Sequence, residues 1–166
     1  MIELMMVMAV VSGMVAASLI GWAIYRDTAR GQTAIGDAQV IIDVVERIYG
    51  YDFTGISDAD VIASNLLPDN LTRTAGEING SWGGQVSLSA FSTGGRNAGF
   101  ALLFQGMPKT VCGDLLRSLE DSAYLLRLTL TTGNLKTRQD DLTIAEVNLA
   151  CNSNDSSFAA IFWPGH

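Results

Sequence analysis

Between Glu3 and Arg26 the chain carries 22 consecutive residues, Leu4 to Tyr25, without a charge. As one helix they span about 33 Å at about 1.5 Å per residue, enough to cross the apolar core of a bilayer. Such a segment has two places to go: a membrane, or an apolar bundle of similar helices. One carboxylate, Glu3, stands at its head. An ionised group at the edge of an apolar segment is costly unless it finds a partner or reaches the interface. Glu3 therefore reads as placed rather than accidental.

No basic residue precedes the run. The run is also longer than the roughly 7–15 apolar residues of a secretory signal core. The chain reads as a mature protein whose basic leader has been removed. That leader would have stayed inside, so the polar bulk is expected outside. The pattern divides the chain into a hydrophobic N-terminal helix over 1–25 and a remainder over 26–166.

The remainder begins as more helix. Ala34, Ala38, Ile41, Val45 and Ile48 recur at spacings of three and four, with Ile42 and Tyr49 beside them. Asp27 and Arg30 are paired at i,i+3, and Asp43 and Arg47 at i,i+4. No proline occurs before Pro68, so one helix of about 48 residues and about 70 Å is predicted, stopped by Gly50. Its first half is apolar all round. Its second half is amphipathic and must rest its apolar stripe on a domain. Gly13, Gly21, Gly31 and Gly36 each weaken it by about 1 kcal/mol against alanine. They serve close helix packing or local bending.

After Gly50 the periodicity changes. Ser57 is a predicted N-cap for a short helix over Ala59 to Leu66, ended by Pro68. Residues 79–84, Asn-Gly-Ser-Trp-Gly-Gly, form a turn cluster. Strands are predicted over 85–91 and 98–105, joined by a hairpin connection at Thr93–Asn97. Pro108 opens a helix over Lys109 to Ser118. A third strand covers Tyr124 to Thr131, with Leu126, Leu128 and Leu130 on one face. Asn134 to Asp141 reads as polar loop, and Leu142 to Leu149 fits helix or strand. A last strand covers Ser156 to Trp163. The fold class is α+β: a long helix packed on a mostly antiparallel sheet. Gly50 to Gly55 is the one candidate hinge.

Charge and composition exclude several functions. Formal net charge is −7 with only ten basic residues, none in a run, which argues against direct nucleic-acid binding. Gly83-Gly84 and Gly94-Gly95 sit at strand ends, without the strand–loop–helix context of a phosphate site. The one histidine, His166, is C-terminal, so a Ser-His-Asp arrangement finds no support. Two cysteines and one histidine do not make a metal-ligand set. Asp140-Asp141 is a calcium ligand pair or, more simply, a solvated loop. Trp82 stacks on a sugar or caps a core. No catalytic residue, cofactor or metal is expected. Cys112 and Cys151, an even pair behind an export-type N-terminus, favour a disulfide; the alternative is two separate buried thiols.

Four features together resemble the type IV pilins, and within them the type IVb class, including the major pilins of plasmid-borne conjugative thin pili. These are Ile2-Glu3-Leu4-Met5 at the head of an apolar run, the long helix that turns amphipathic, the 79–84 turn leading into a strand, and the pair Cys112 and Cys151. In that family the glutamate is the fifth mature residue. Here it is the third, so either two residues are expected to precede Met1 or the processing site is shifted.

The resemblance implies a structural subunit that waits in the inner membrane and then polymerises into an extracellular filament. Its implied partners are further copies of itself, inner-membrane assembly machinery, a minor pilin or adhesin at the tip, and a host or recipient cell surface. It implies that Glu3 pairs with the terminal amine of a neighbouring subunit. Glycines near Gly13, with Gly21 further on, would mark where the helix gives up hydrogen bonds, and the Cys112–Cys151 loop would shape the exterior. Two other readings fit the same segment: a minor pilin or secretion pseudopilin, and a single-pass membrane-anchored periplasmic binding domain.

Overall fold

The computed structural model describes residues 2–50, 52–72, 76–93, 96–122, 125–130, 133–137, 141–153 and 155–163. Of the first 27 residues, side chains are described for Met8, Met14, Val15, Ser18, Trp22 and Tyr25; at 93, 96–98 and 133–137 the backbone alone is described.

A single helix, α1 (Ile2–Tyr49), forms the whole N-terminal part. It stops where the sequence places the stop. Gly50 takes φ +60°, and its N–H donates to the Glu46 carbonyl at 2.9 Å. Glycine enters this left-handed region without a Cβ penalty, which makes it a helix terminator. The predicted apolar stripe is buried through Ala34, Ala38, Ile41 and Val45, all at 0% exposure, with Ile42 and Val44 beside them. Ile48 is exposed, contrary to the predicted stripe. The chain doubles back on the Tyr49 side, where the Phe53 ring lies 6.3 Å from the Tyr49 ring.

Local bonds and two buried side chains hold residues 52–56. Asp52 accepts from the Thr54 N–H at 3.0 Å and the Thr54 hydroxyl at 2.6 Å. Phe53 and Ile56 are buried. Helix α2 (Asp58–Ala63) is N-capped by Ser57, whose hydroxyl accepts the Asp60 N–H at 3.2 Å. It is shorter than predicted, because Ser64 caps it and Asn65 takes φ +54°. A single 3-10 turn, Asp69–Leu71, follows Pro68.

The sheet has six strands: β1 (Ile78–Asn79), β2 (Gln85–Thr93), β3 (Arg96–Met107), β4 (Leu125–Leu130), β5 (Gly133–Thr137) and β6 (Ser156–Phe162). Their order is β1-β2-β3-β6-β4-β5, all neighbours antiparallel. The C-terminal strand β6 is thus inserted between β3 and β4. Helix α3 (Lys109–Glu120) connects β3 to β4, and α4 (Ile144–Ala150) precedes β6. Part of the stretch read as loop over Asn134–Asp141 is strand β5, pairing Leu128 with Lys136 and Arg127 with Thr137. Its polar side chains hide the strand because pairing, not propensity, fixes an edge strand. The Gly94-Gly95 connection and the pair's Asp140 lie outside the described residues.

β4 departs from simple alternation. Leu125 pairs with Phe162 but Arg127 pairs with Ile161, so Leu126 is an extra residue on β4. A bulge of this kind reverses the phase of the side chains. Leu125 and Leu128 are buried in consequence, while Leu126 and Leu130 are half-buried, correcting the predicted face. The ambiguous Leu142–Leu149 segment contains helix α4. Thr143 and Glu146 form a capping box, with Thr143 N donating to Glu146 Oε2 at 2.8 Å and Glu146 N to Thr143 Oγ1 at 3.3 Å. The Thr143-Ile144-Ala145-Glu146 signal is present in the sequence.

One face of the sheet carries the core. Phe100, Leu102 and Phe104 of β3 and Phe158, Ala160 and Phe162 of β6 are buried, in one cluster with the α1 stripe and with Val111, Leu115 and Leu116 of α3. The aromatic rings form a chain: Phe53 to Phe100 at 5.1 Å, Phe100 to Phe162 at 5.3 Å, and Phe104 to Phe158 at 5.2 Å. Truncating a ring of this layer removes its transfer energy and leaves a cavity. Phe100→Ala is expected to lower unfolding stability by about 3–5 kcal/mol. Urea titration with the disulfide intact measures this; a loss below about 1 kcal/mol would remove Phe100 from the core.

Candidate assembly surfaces

The surfaces available to other molecules follow from how α1 is used. Its second half is fixed to the head by packing and by one polar tie. Asp37 falls on the buried stripe between Ala34 and Ile41 and is itself buried. Its Oδ2 accepts the Ser81 N–H at 2.9 Å. A buried carboxylate left unpaired is costly, so this bond holds the 79–84 turn against α1. An acid inside an apolar stripe, Asp37 is a signal visible in the sequence. At Gly31, α1 comes so close to α3 that an added Cβ would stand 2.5 Å from Asp114 Oδ2. Gly31 is therefore a packing glycine.

The same turn carries Trp82. A bulge in β3 at Gln105–Gly106 breaks the register with β6 between Phe104 and Met107. The Trp82 indole N–H donates to the Gln105 carbonyl at 3.1 Å, and its ring lies 6.1 Å from that of Phe104. At 9% exposure Trp82 caps the core and offers no open face for a sugar. A third tie covers β2 beyond the two residues paired with β1: Asp58 of α2 accepts the Leu88 N–H at 2.7 Å.

The first half of α1 is different. Met8, Met14, Val15, Trp22 and Tyr25 are all exposed, from 53% at Val15 to 73% at Tyr25. Exposed apolar side chains in sequence along one helix mark a surface that meets another molecule or a lipid. Glu3, Gly13 and Gly21 all lie in this continuous helix. The surroundings of the Glu3 side chain lie outside the described residues. Among the described residues no helix is long and apolar enough to cross a membrane; most side chains of the Leu4–Tyr25 run are not among them.

On the head, Cys112 and Cys151 are disulfide-bonded, with Cα atoms 5.6 Å apart and a sequence separation of 39. The bond joins α3 to the C-cap of α4. The Glu120 carboxylate, which accepts the Leu142 N–H, joins the two helices a second time. The closed loop thus contains β4, β5 and α4. On α4, Ile144 and Leu149 stay exposed at 70% and 63%. Among the described residues no group of three or more His, Cys, Asp and Glu gathers. His166 lies outside them.

Two carboxyls are perturbed upward. Burial, and secondarily the charge of Asp43, pushes Glu46 up. The Glu46 Oε1 atom is buried without a hydrogen-bond partner among the described residues. Burial also pushes Asp58 up, partly opposed by its bond from Leu88. A carboxyl with a higher pKa in the folded chain binds its proton more tightly there. Its contribution is fully present below the ordinary carboxylate pKa and is lost as pH rises through the folded value.

Glu46→Gln is therefore expected to raise the urea midpoint at pH 7, with the gain shrinking as pH falls through the carboxylate range. A variant less stable than the parent at pH 7 contradicts this. Replacing both cysteines by serine should cost about 3–4 kcal/mol in the chain-entropy account of a loop this long. Urea midpoints of the oxidised parent and the double variant test it; equal midpoints would mean that the bond constrains nothing.

Comparison with known proteins agrees with this geometry. The sequence profile of the family described as PilS N terminal matches residues 35–163. A type IV b pilin from Salmonella typhi has a similar fold, with a TM-score of 0.58 at 18% identity, covering 79% of this chain and 97% of the other. TcpA, a type IV pilin from the Vibrio cholerae El Tor biotype, is similar at a TM-score of 0.51 and 14% identity, covering 81% and 98%. A comparison with curated protein sequences finds no match. A chain matched by this profile over most of its length belongs to the PilS family, and its fold is that of these type IV pilins.

Proposed function

We propose that this chain is the main structural subunit of a type IVb pilus and polymerises through α1 into a surface filament. The filament serves adhesion, aggregation or the stabilisation of conjugative mating pairs. The division of α1 carries this reading. Ala34 to Val45 bury one face in the head, while Met8, Met14, Val15, Trp22 and Tyr25 stay exposed. A helix half left bare by its own domain finds cover in lipid or in copies of itself. The inner membrane supplies the first cover and a central helix bundle the second.

In the bundle Glu3 lies in a low-dielectric core and takes the terminal amine of a neighbouring subunit as its partner. Such a pair adds little net stability, yet misplacing it strands a charge, so it marks register. Gly13 and Gly21 supply the points where the helix bends as subunits pack. Inner-membrane machinery adds the subunits, a minor pilin or adhesin occupies the tip, and a host or recipient cell surface meets the finished filament.

Glu3→Ala is expected to leave expression and the Cys112–Cys151 bond intact while reducing sheared filaments to trace levels. Immunoblots of sheared and cell-bound fractions read this out. Filaments at parental abundance would end the register role of Glu3. Quantifying the chain in parental filaments tests the rest: a scarce component points instead to a minor pilin or pseudopilin.

A further inference from the structure

The chain holds one Asn-Gly pair, Asn79-Gly80, at the head of the 79–84 turn. Every other asparagine is followed by leucine, alanine, serine or aspartate. Asparagine followed by glycine is the pair most prone to spontaneous deamidation. Glycine leaves its own backbone nitrogen unshielded and free to rotate toward the asparagine Cγ. That nitrogen gives its proton to solvent and attacks Cγ, ammonia leaves, and a five-membered imide forms. Water then opens the imide at either carbonyl, giving aspartate or isoaspartate.

The fold requires this glycine. A Cβ on Gly80 would overlap the six-membered ring of Trp82, which closes over the turn. The chemically weak pair is therefore a consequence of how Trp82 packs.

The same fold keeps the reaction from starting. Asn79 ends β1, paired with Gln85, and is half-buried. Gly80 is buried, and its N–H, on the nitrogen that would attack, donates to the Gly84 carbonyl at 3.0 Å. The Asn79 Nδ2 donates to the Glu77 carbonyl, two residues back, at 3.3 Å. The turn beyond is pinned twice. The Gly83 N–H donates to the Gly80 carbonyl at 2.9 Å, and the Ser81 N–H to the buried Asp37 carboxylate at 2.9 Å. Closing the imide takes the Gly80 nitrogen off the Gly84 carbonyl, so the turn must open first.

We propose that Asn79 is a modification site, closed in the folded turn and deamidated when the turn opens, so that isoaspartate at 79 is a lasting record of opening. An isoaspartyl link runs the backbone through the side chain and adds one carbon between residues 79 and 80, where the bonds to Gly84 and Asp37 need fixed spacing. The inference does not depend on filament formation.

The test incubates the full chain in detergent and mildly alkaline buffer, folded or in guanidinium chloride. Mass spectrometry follows the peptide carrying Asn79, with electron-transfer fragmentation separating isoaspartate from aspartate. In denaturant, Asn79 is expected to convert faster than any other asparagine. In the folded chain it should convert at least about tenfold more slowly, as befits a site that reacts only through local opening. Asp37→Ala removes the acceptor of the Ser81 N–H, and Trp82→Phe removes the indole bond to the Gln105 carbonyl. Each should raise the folded rate by about fivefold, the factor that one lost hydrogen bond of ordinary strength supplies. Both should leave the rate in denaturant unchanged. Phe100→Ala, which weakens the core away from the turn, should leave the folded rate unchanged. Circular dichroism checks that each variant is folded, and either turn variant alone suffices for the comparison. Slow conversion of Asn79 in denaturant overturns the site itself, and equal rates in the folded and unfolded chain overturn its protection. A rise in Phe100→Ala as large as in the turn variants overturns the turn as the gate, because conversion then follows global unfolding.

Discussion

The packing of one helix face decides the rest of this molecule. Ala34, Ala38, Ile41 and Val45 sink completely into the core shared with α3 and the sheet. The two alanines allow close approach, and the larger residues fill the space beyond. Because that interface satisfies only the second half of α1, Met8, Met14, Val15, Trp22 and Tyr25 of the first half stay exposed. The bare half is thus a direct product of where the core ends. A helix buried along its whole length would leave nothing with which to join a neighbour.

Polar ties hold the head in shape where apolar packing is thin. Asp37 draws the 79–84 turn to α1, Trp82 closes that turn over the Gln105 carbonyl, and Asp58 covers the outer edge of β2. Each is a hydrogen bond across more than twenty residues of sequence. The disulfide and the Glu120–Leu142 bond do the same for α3 and α4. Together they anchor the segment between Cys112 and Cys151, which contributes the β4–β5 edge of the sheet and the exposed residues of α4. That segment rests on fixed points at both ends.

Legibility followed the source of each signal. The α1 boundary, the Ser57 cap and the strands β2, β3 and β6 come from local periodicity and turn chemistry, and the sequence displays them. β5 escaped notice because its residues, Gly-Asn-Leu-Lys-Thr, become a strand by pairing with β4 and not by preference of their own. The face of β4 was misassigned because one extra residue, Leu126, reverses the alternation, and only the register against β6 shows it. Asp37 and the Thr143–Glu146 box had visible sequence signals. The first is an acid on an apolar stripe and the second a spacing of three.

By itself the sequence determined the long helix, its division into apolar and amphipathic halves, the α+β class and the pairing partners available to two cysteines. These depend on residue type and spacing within one segment. Only the tertiary structure decided that β6 lies between β3 and β4, that Trp82 is core rather than platform, and which side chains stay bare on the finished surface. Those outcomes depend on which distant segments meet, and meeting is governed by packing and by the need to satisfy buried polar groups.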